Sequence, residues 1–233
     1  MIASAIEGLL PYERTFFLWL NHQQADYWDV FMWIYSGKAV WLPLVISFFM
    51  AFVYKVKWKE AILLVVCAIL VGVLCDQIAA SVIKPLFERL RPTHHPDFRD
   101  YVEIIRGYRG GRLGFVSAHA TNGFGVVVFS SLLFRYKPYT ITITIWALIT
   151  CYSRIYLGVH FITDIIGGMV IGSVIGLFVY YIYLCGRRYL IKVPKDRLKV
   201  PVLEKIRAQA LIGTIVTLIS SIAIYSFFWG IPE

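Results

Sequence analysis

Charged side chains are scarce: Asp, Glu, Lys and Arg make up 16% of the 233 residues, against about 25% in a soluble domain. That scarcity excludes a disordered chain and a coiled coil, and it fits an ordinary water-soluble enzyme poorly. Cysteine is scarce too. Cys67, Cys75, Cys151 and Cys185 lie in or beside apolar stretches without C-x2-C spacing, which excludes a disulfide-stapled scaffold and leaves them as small packing residues. The first residues, MIASAIEGLLPYER, lack a basic stretch and a clear cleavage site, so no removable signal peptide is expected.

What is present is apolar. Hydrophobic residues reach 59% and mean hydropathy is +0.69. One bilayer crossing takes about 20 mostly apolar residues, and apolar runs fall at 29–54, 60–83, 117–134, 139–157, 162–184 and 208–229. The fold expected is all-α: a polytopic membrane helical bundle of about six transmembrane helices. Residues 1–28 precede it. There Glu7, Glu13, Arg14 and Asp26 break the apolar pattern, while Phe16, Phe17, Trp19 and Leu20 suggest a helix lying in the membrane interface. Residues 29–184 would form the core, 185–207 a basic linker and 208–233 a last transmembrane helix. Tyr27, Trp28, Trp33 and Tyr35 read as an aromatic belt, and Lys38, beside Ser36 and Gly37, can snorkel to the headgroups. Gly168, Gly172 and Gly176 repeat every four residues, a small-residue stripe read as helix packing.

The net charge of +9 needs a place outside the lipid. Six spans put the connections after the first, third and fifth on one side, with thirteen Lys and Arg, eight of them between Arg187 and Arg207. The positive-inside rule places that side in the cytoplasm. The connection at 84–116 then faces outward while carrying seven Lys and Arg.

Those outward cations accompany three suggestive clusters. Lys84 and Arg91 are seven apart, on one face if the stretch is helical. Pro85 suits a helix start, and Pro92 cannot continue one. Two such cations suit a phosphate or, equally, anionic lipid headgroups. Ser117 and His119 stand at the start of the third span, where free backbone N–H groups bind anions. In SRIYLGVHFITD, Arg154 lies at the membrane edge and His160 and Asp164 are four apart. A carboxylate on one ring nitrogen leaves the other free as base or nucleophile, though a capping or surface pair has the same spacing. All three clusters fall on one side of the membrane.

In this order the residues resemble the type-2 phosphatidic acid phosphatase superfamily, which holds membrane lipid phosphatases and vanadium haloperoxidases. KPLFERLRP fits K-x6-R-P, SRIYLGVHFITD fits S-R-x5-H-x3-D, and VSAH resembles P-S-G-H with two substitutions. The motifs span residues 84–164. The resemblance implies that His160 attacks phosphorus and forms a phosphohistidine, that Asp164 orients it, and that His119 protonates the leaving oxygen. Lys84, Arg91 and Arg154 would neutralise the phosphoryl oxygens, with Ser117 and the Ala118 backbone N–H completing the cradle. Val116 and Ala118 depart from the motif's Pro and Gly. If the family glycine requires a positive φ, alanine would strain that turn.

No cofactor or metal is expected, since Glu88, Asp97, Asp100, Glu103 and Asp164 form no clustered carboxylate pattern. The pair His94–His95 reads as solvated. Asp76 and Gln77 sit inside the second span, where an acid is costly and should find a partner. A hydrogen bond within the bundle is expected of Asp76, or a role in orienting the site cations. Arg106, Arg109 and Arg112, with Arg99, favour a multiply anionic headgroup.

The function expected is hydrolysis of a membrane-lipid phosphate: undecaprenyl diphosphate or lipid A first, phosphatidylglycerophosphate or phosphatidate as alternatives. An anion- or lipid-binding transporter is the rival from another class, but it needs more polar residues in the spans. Vanadate-dependent halide oxidation fits a soluble chain better. The setting expected is a bacterial inner membrane with the site facing the periplasm. The partners are the lipid bilayer and a phospholipid, polyprenyl or lipid A phosphate, with no nucleic acid. Oligomeric state stays open.

Overall fold

The computed structural model describes residues 6–229, which are helical with no strand among them. Residues 1–5 and 230–233, at the outer ends of the first and last expected segments, lie outside that range. Eight principal helices organise the described residues. Helix α1 (Leu10–Asn21) starts with Pro11 in its first turn, where a missing N–H costs nothing. Helices α2 (Asp26–Tyr35) and α3 (Leu42–Val53) form the first expected span, broken at Ser36–Gly37–Lys38 by a 65° bend. The Trp41 indole N–H donates to the Tyr35 carbonyl at 2.8 Å and ties the two halves.

Helix α4 (Trp58–Gln77) runs on through a π-helical stretch (Ile78–Ile83) into Lys84–Phe87 and stops where Glu88 turns left-handed at φ 47°. Helices α5 (Ala118–Phe134), α6 (Lys137–Tyr156) and α7 (Ile162–Tyr189) follow, and α8 (Lys205–Trp229) closes the bundle. Among the described residues, three helices are long and apolar enough to cross a membrane: Trp58–Phe87, Ile162–Tyr189 and Lys205–Trp229. The bent α2–α3 pair makes a fourth if taken as one span. At 17 residues α5 is shorter, and α6 is diluted by Thr140, Thr142, Thr144 and Thr150. The outer faces stay apolar: Val45, Phe49, Val66, Val73, Val174 and Phe178 are all exposed, as expected of a surface solvated by lipid chains.

The glycine stripe is a packing surface, as expected, and it also places the site. A Cβ at Gly168 would stand 2.7 Å from the Ser117 carbonyl oxygen, and one at Gly176 would stand 2.5 Å from that of Gly125. Only glycine lets α7 approach α5 this closely. The contact draws the start of α5 against the start of α7, where the Ser117 N–H donates to the Asp164 carbonyl at 3.0 Å.

The two ends of the bundle differ. At one, Arg187 is buried, paired with Glu60 at 3.1 Å, and donates to the carbonyls of Leu198 and Val200. Tyr183 donates to the same Glu60 at 2.6 Å. Arg207 donates to the Ala51 carbonyl at 2.8 Å. Some of the cations between α7 and α8 therefore fasten the chain to the bundle. At the other end α1 packs inward through Phe17 and Asn21, both fully buried. The Asn21 amide donates to the carbonyls of Tyr156 and Glu103 at 3.0 and 3.2 Å.

Candidate active site

Everything singled out between residues 84 and 164 converges at this second end. The chain does not continue as a helix beyond Phe87. The expectation that a helical face aligns Lys84 with Arg91 is corrected: the helix stops at Phe87, and Arg91 is extended. Leu90 instead forms an antiparallel bridge with Leu113, the Arg91 N–H donates to the Arg112 carbonyl at 3.0 Å, and Gly114 N–H donates to the Arg89 carbonyl at 2.8 Å. Pro92 and the turn at Glu88 defeat the helix, and backbone pairing takes its place.

The glycine-rich run then folds over buried charge. Gly110 has φ +67°, and a Cβ there would lie 2.5 Å from Arg91 Nη1. A Cβ at Gly114 would lie 2.8 Å from Asp164 Oδ2. These two glycines make room for the guanidinium and the carboxylate. Arg91 is buried, with Nε donating to the Leu113 carbonyl at 3.0 Å.

Arg154, at the end of α6, is buried as well. It donates to the Ser36 hydroxyl at the α2–α3 break and to the Tyr108 hydroxyl at 3.4 Å. Burial raises the Tyr108 phenol, but the Arg154 hydrogen bond and the charges of Arg154, Arg91 and Lys38 outweigh it and leave the group lowered.

His160 precedes α7 and is 1% exposed. Its Nδ1 lies 3.3 Å from Asp164 Oδ2, which also accepts from the Phe161 N–H at 3.1 Å. With Nδ1–H donated to the carboxylate, the lone pair sits on Nε2. Burial first, then the positive fields of Arg91, Arg154, Lys84 and Arg89, push His160 well below its ordinary 6.5. That direction favours the neutral ring, the form a nucleophile needs.

Ser117 caps α5, its Oγ accepting from the Ala120 N–H at 3.4 Å. Ala118 is the first helical residue, outside the positive-φ positions, so alanine is accommodated there without left-handed strain. His119 and Ala118 line a cavity of about 410 Å³ with Ser36, Lys38, Asp76 and Trp146. This cavity continues along the apolar Leu44, Phe48 and Val126. Asp76 forms no side-chain hydrogen bond among the described residues and is exposed to the cavity; the bundle hydrogen bond expected of it is not made.

Arg106, Arg109 and Arg112 lie on the exposed rim. Arg106 stacks over Trp33 at 5.7 Å, and Arg109 donates to the Thr93 carbonyl at 3.2 Å. Among the described residues, no group of three His, Cys, Asp or Glu side chains gathers to hold a metal.

Four residues escaped the sequence reading: Arg89, Glu13, Ser36 and Tyr108. Arg89 sits two before Arg91, and it is 2% exposed and bonded to Asp164 at 2.8 Å. The signals available were a third cation within KPLFERLRP and an acid, Glu13, in a chain poor in acids.

A buried His–Asp pair thus lies in the positive fields of Arg91, Arg154, Lys84 and Arg89 at one end of the helical bundle. The chain belongs to the PAP2 superfamily, whose sequence profile matches residues 60–185. It is 46% identical over 182 residues to a lipid A 4'-phosphatase of Porphyromonas gingivalis, covering 78% of this chain and 77% of that protein. It is 36% identical over 178 residues to a lipid A 4'-phosphatase of Bacteroides thetaiotaomicron, covering 76% and 79%. A phosphatidylglycerophosphatase B of Bacillus subtilis is 27% identical over 147 residues, with 59% and 64% covered. Among solved structures, a transmembrane PAP2-type phosphatidylglycerolphosphate phosphatase from Bacillus subtilis superposes with a TM-score of 0.57 at 22% identity. That likeness covers 84% of this chain and 94% of the other, and concerns the fold.

Proposed function

We propose that this chain is an integral membrane lipid phosphatase that removes a phosphate from lipid A through a phosphohistidine on His160, without metal. The observation that carries this reading is the buried His160, with Asp164 at 3.3 Å from its Nδ1 and with Arg91, Arg154 and Lys84 acting on it. Phosphoryl transfer asks the protein mainly for position and charge stabilisation, and preorganised cations in a dry site supply both. His160 Nε2 attacks phosphorus while His119, on the cavity side, donates a proton to the departing oxygen. His119 then takes a proton from the water that hydrolyses the phosphohistidine. Ser117 and the Ala118 N–H complete the cradle. The rim cations Arg106, Arg109 and Arg112 add positive potential for a headgroup with more than one anionic group.

The lipid A assignment rests on the two relatives of that name at 46% and 36% identity, and the phosphatidylglycerophosphatase relative keeps a glycerophospholipid as the alternative. The membrane reading is six crossings, made by the bent α2–α3 pair and by α4, α5, α6, α7 and α8. Positive-inside orientation puts the basic 185–207 connection in the cytoplasm and the site on the periplasmic face of a bacterial inner membrane.

The test is phosphate release by purified protein in EDTA from four lipids: bisphosphorylated lipid A, undecaprenyl diphosphate, phosphatidylglycerophosphate and phosphatidate. Lipid A is expected to lose one phosphate fastest, with EDTA leaving the rate unchanged. Loss of activity in EDTA, or faster turnover of another lipid, overturns the corresponding part of the reading.

A further inference from the structure

Arg89 is among the largest fully buried side chains, and it lies between two acids from different helices. Its Nη1 bonds Asp164 Oδ1 at 2.8 Å, and its Nη2 bonds Glu13 Oε1 at 2.6 Å. Glu13, from α1, is 7% exposed. Its carboxylate also accepts from the Thr163 N–H at 2.9 Å and the Thr163 hydroxyl at 2.8 Å. The Phe161 ring covers the Arg89 guanidinium at 4.6 Å. A helix that the sequence assigns to the membrane interface thus reaches the back of the His160–Asp164 pair.

Charge balance gives the contact a purpose. Asp164 and Arg89 alone form a neutral pair, a weak counter-charge for an imidazole that turns cationic on attacking phosphorus. Glu13 restores one net negative charge to the group behind His160. That charge matters because His160 otherwise faces cations: Lys84 from the helical turn that ends at Phe87, Arg89 and Arg91 from the following segment, and Arg154 from α6. His119 of α5 also acts on the same cluster, and Asp164 is the acid in direct contact with the ring. Further out, Glu7 pairs with His95 at 3.3 Å and lies 3.7 Å from Arg89 Nε. In a dry interior a charge one residue removed still acts strongly.

We infer that Glu13, through Arg89 and Thr163, is a positioning residue that holds Asp164 in place and supplies the counter-charge for the phosphorylated His160, making α1 part of the catalytic apparatus. The inference rests on the reading of His160 as nucleophile. Packing alone does not require the acid, because α1 is separately anchored by Asn21 and by Phe17 against Phe161.

Glu13→Gln keeps the size and one acceptor and removes the charge. With bisphosphorylated lipid A in detergent, kcat is expected to fall roughly 10- to 100-fold, by analogy with the outer partners of carboxylate–histidine pairs at metal centres. KM should change by less than about threefold. The acidic limb of kcat/KM against pH should move to lower pH, since losing a negative charge behind His160 disfavours its protonated form. Glu13→Asp keeps the charge and should leave the limb in place. Wild-type kcat with an unmoved limb in Glu13→Gln overturns the inference, as does a loss confined to thermal stability. If Glu13→Gln yields no folded protein, Glu13→Asp decides: an unmoved limb supports the inference and a displaced one overturns it. His160→Ala run in parallel separates the two levels. Turnover in that variant sinks the nucleophile reading itself, whereas an inactive His160→Ala beside a wild-type Glu13→Gln sinks the role of Glu13 alone.

Discussion

Purified in detergent, His160→Ala is expected to release no phosphate above background while unfolding at a temperature close to that of the wild type. The side chain is buried, and its polar partner among the described residues is Asp164, which keeps Arg89 and the Phe161 N–H when the imidazole is gone. The fold therefore loses little, and the chemistry loses the atom that attacks. The pH dependence follows from the same environment. His160 must be neutral to attack, and burial with four surrounding cations pushes it well below 6.5. Activity is therefore present above that depressed value and lost as pH falls through it, so the acidic limb of kcat/KM should lie below pH 6.5. Turnover of His160→Ala on lipid A, followed as released phosphate, would remove His160 from the reaction.

The second large effect is expected at His119, and its size should depend on the leaving group. His119 lines the cavity that runs into the bundle, the side from which the lipid oxygen departs in the proposed mechanism. General acid catalysis is worth about 10²–10⁴-fold, and His119→Ala should lose that much on a lipid phosphate. An aryl phosphate such as p-nitrophenyl phosphate leaves as a stable phenolate that needs no proton. On that substrate the step of leaving-group departure should be nearly indifferent to the substitution. Comparing single-turnover formation of product from the two substrates measures the difference. Equal losses on both would assign His119 to binding and not to proton transfer.

Much of the candidate site was legible because its residues fall in short segments. His160 and Asp164 lie on one turn, and Arg154 stands six before His160 at the end of the preceding helix. The glycine stripe at Gly168, Gly172 and Gly176 announced close packing, and α7 does pack on α5 there. The unread residues share a different property: their partners are far away in sequence. Glu13 meets Thr163 across 150 positions, and Ser36 meets Arg154 across 118. No local pattern marks such a contact; it is created when the bundle closes. Lys84 and Arg91 show the converse. Their spacing suggested a shared helical face, yet a left-handed Glu88 and the Leu90–Leu113 bridge bring the segment back by another route. Asp76 was expected to be paired because hydrocarbon penalises an unpaired acid. It instead borders a cavity at the bend between α2 and α3, which no periodicity in the sequence shows.

The stereochemical course at phosphorus tests the His160 mechanism most directly. A lipid A analogue whose scissile group is a phosphorothioate made chiral with oxygen-16 and oxygen-18 is hydrolysed in oxygen-17 water, and the configuration of the released thiophosphate is determined. Each in-line displacement inverts phosphorus. Attack by His160 followed by attack of water gives two inversions and net retention. Inversion would mean that water attacks the lipid phosphate directly, leaving His160 as at most a base.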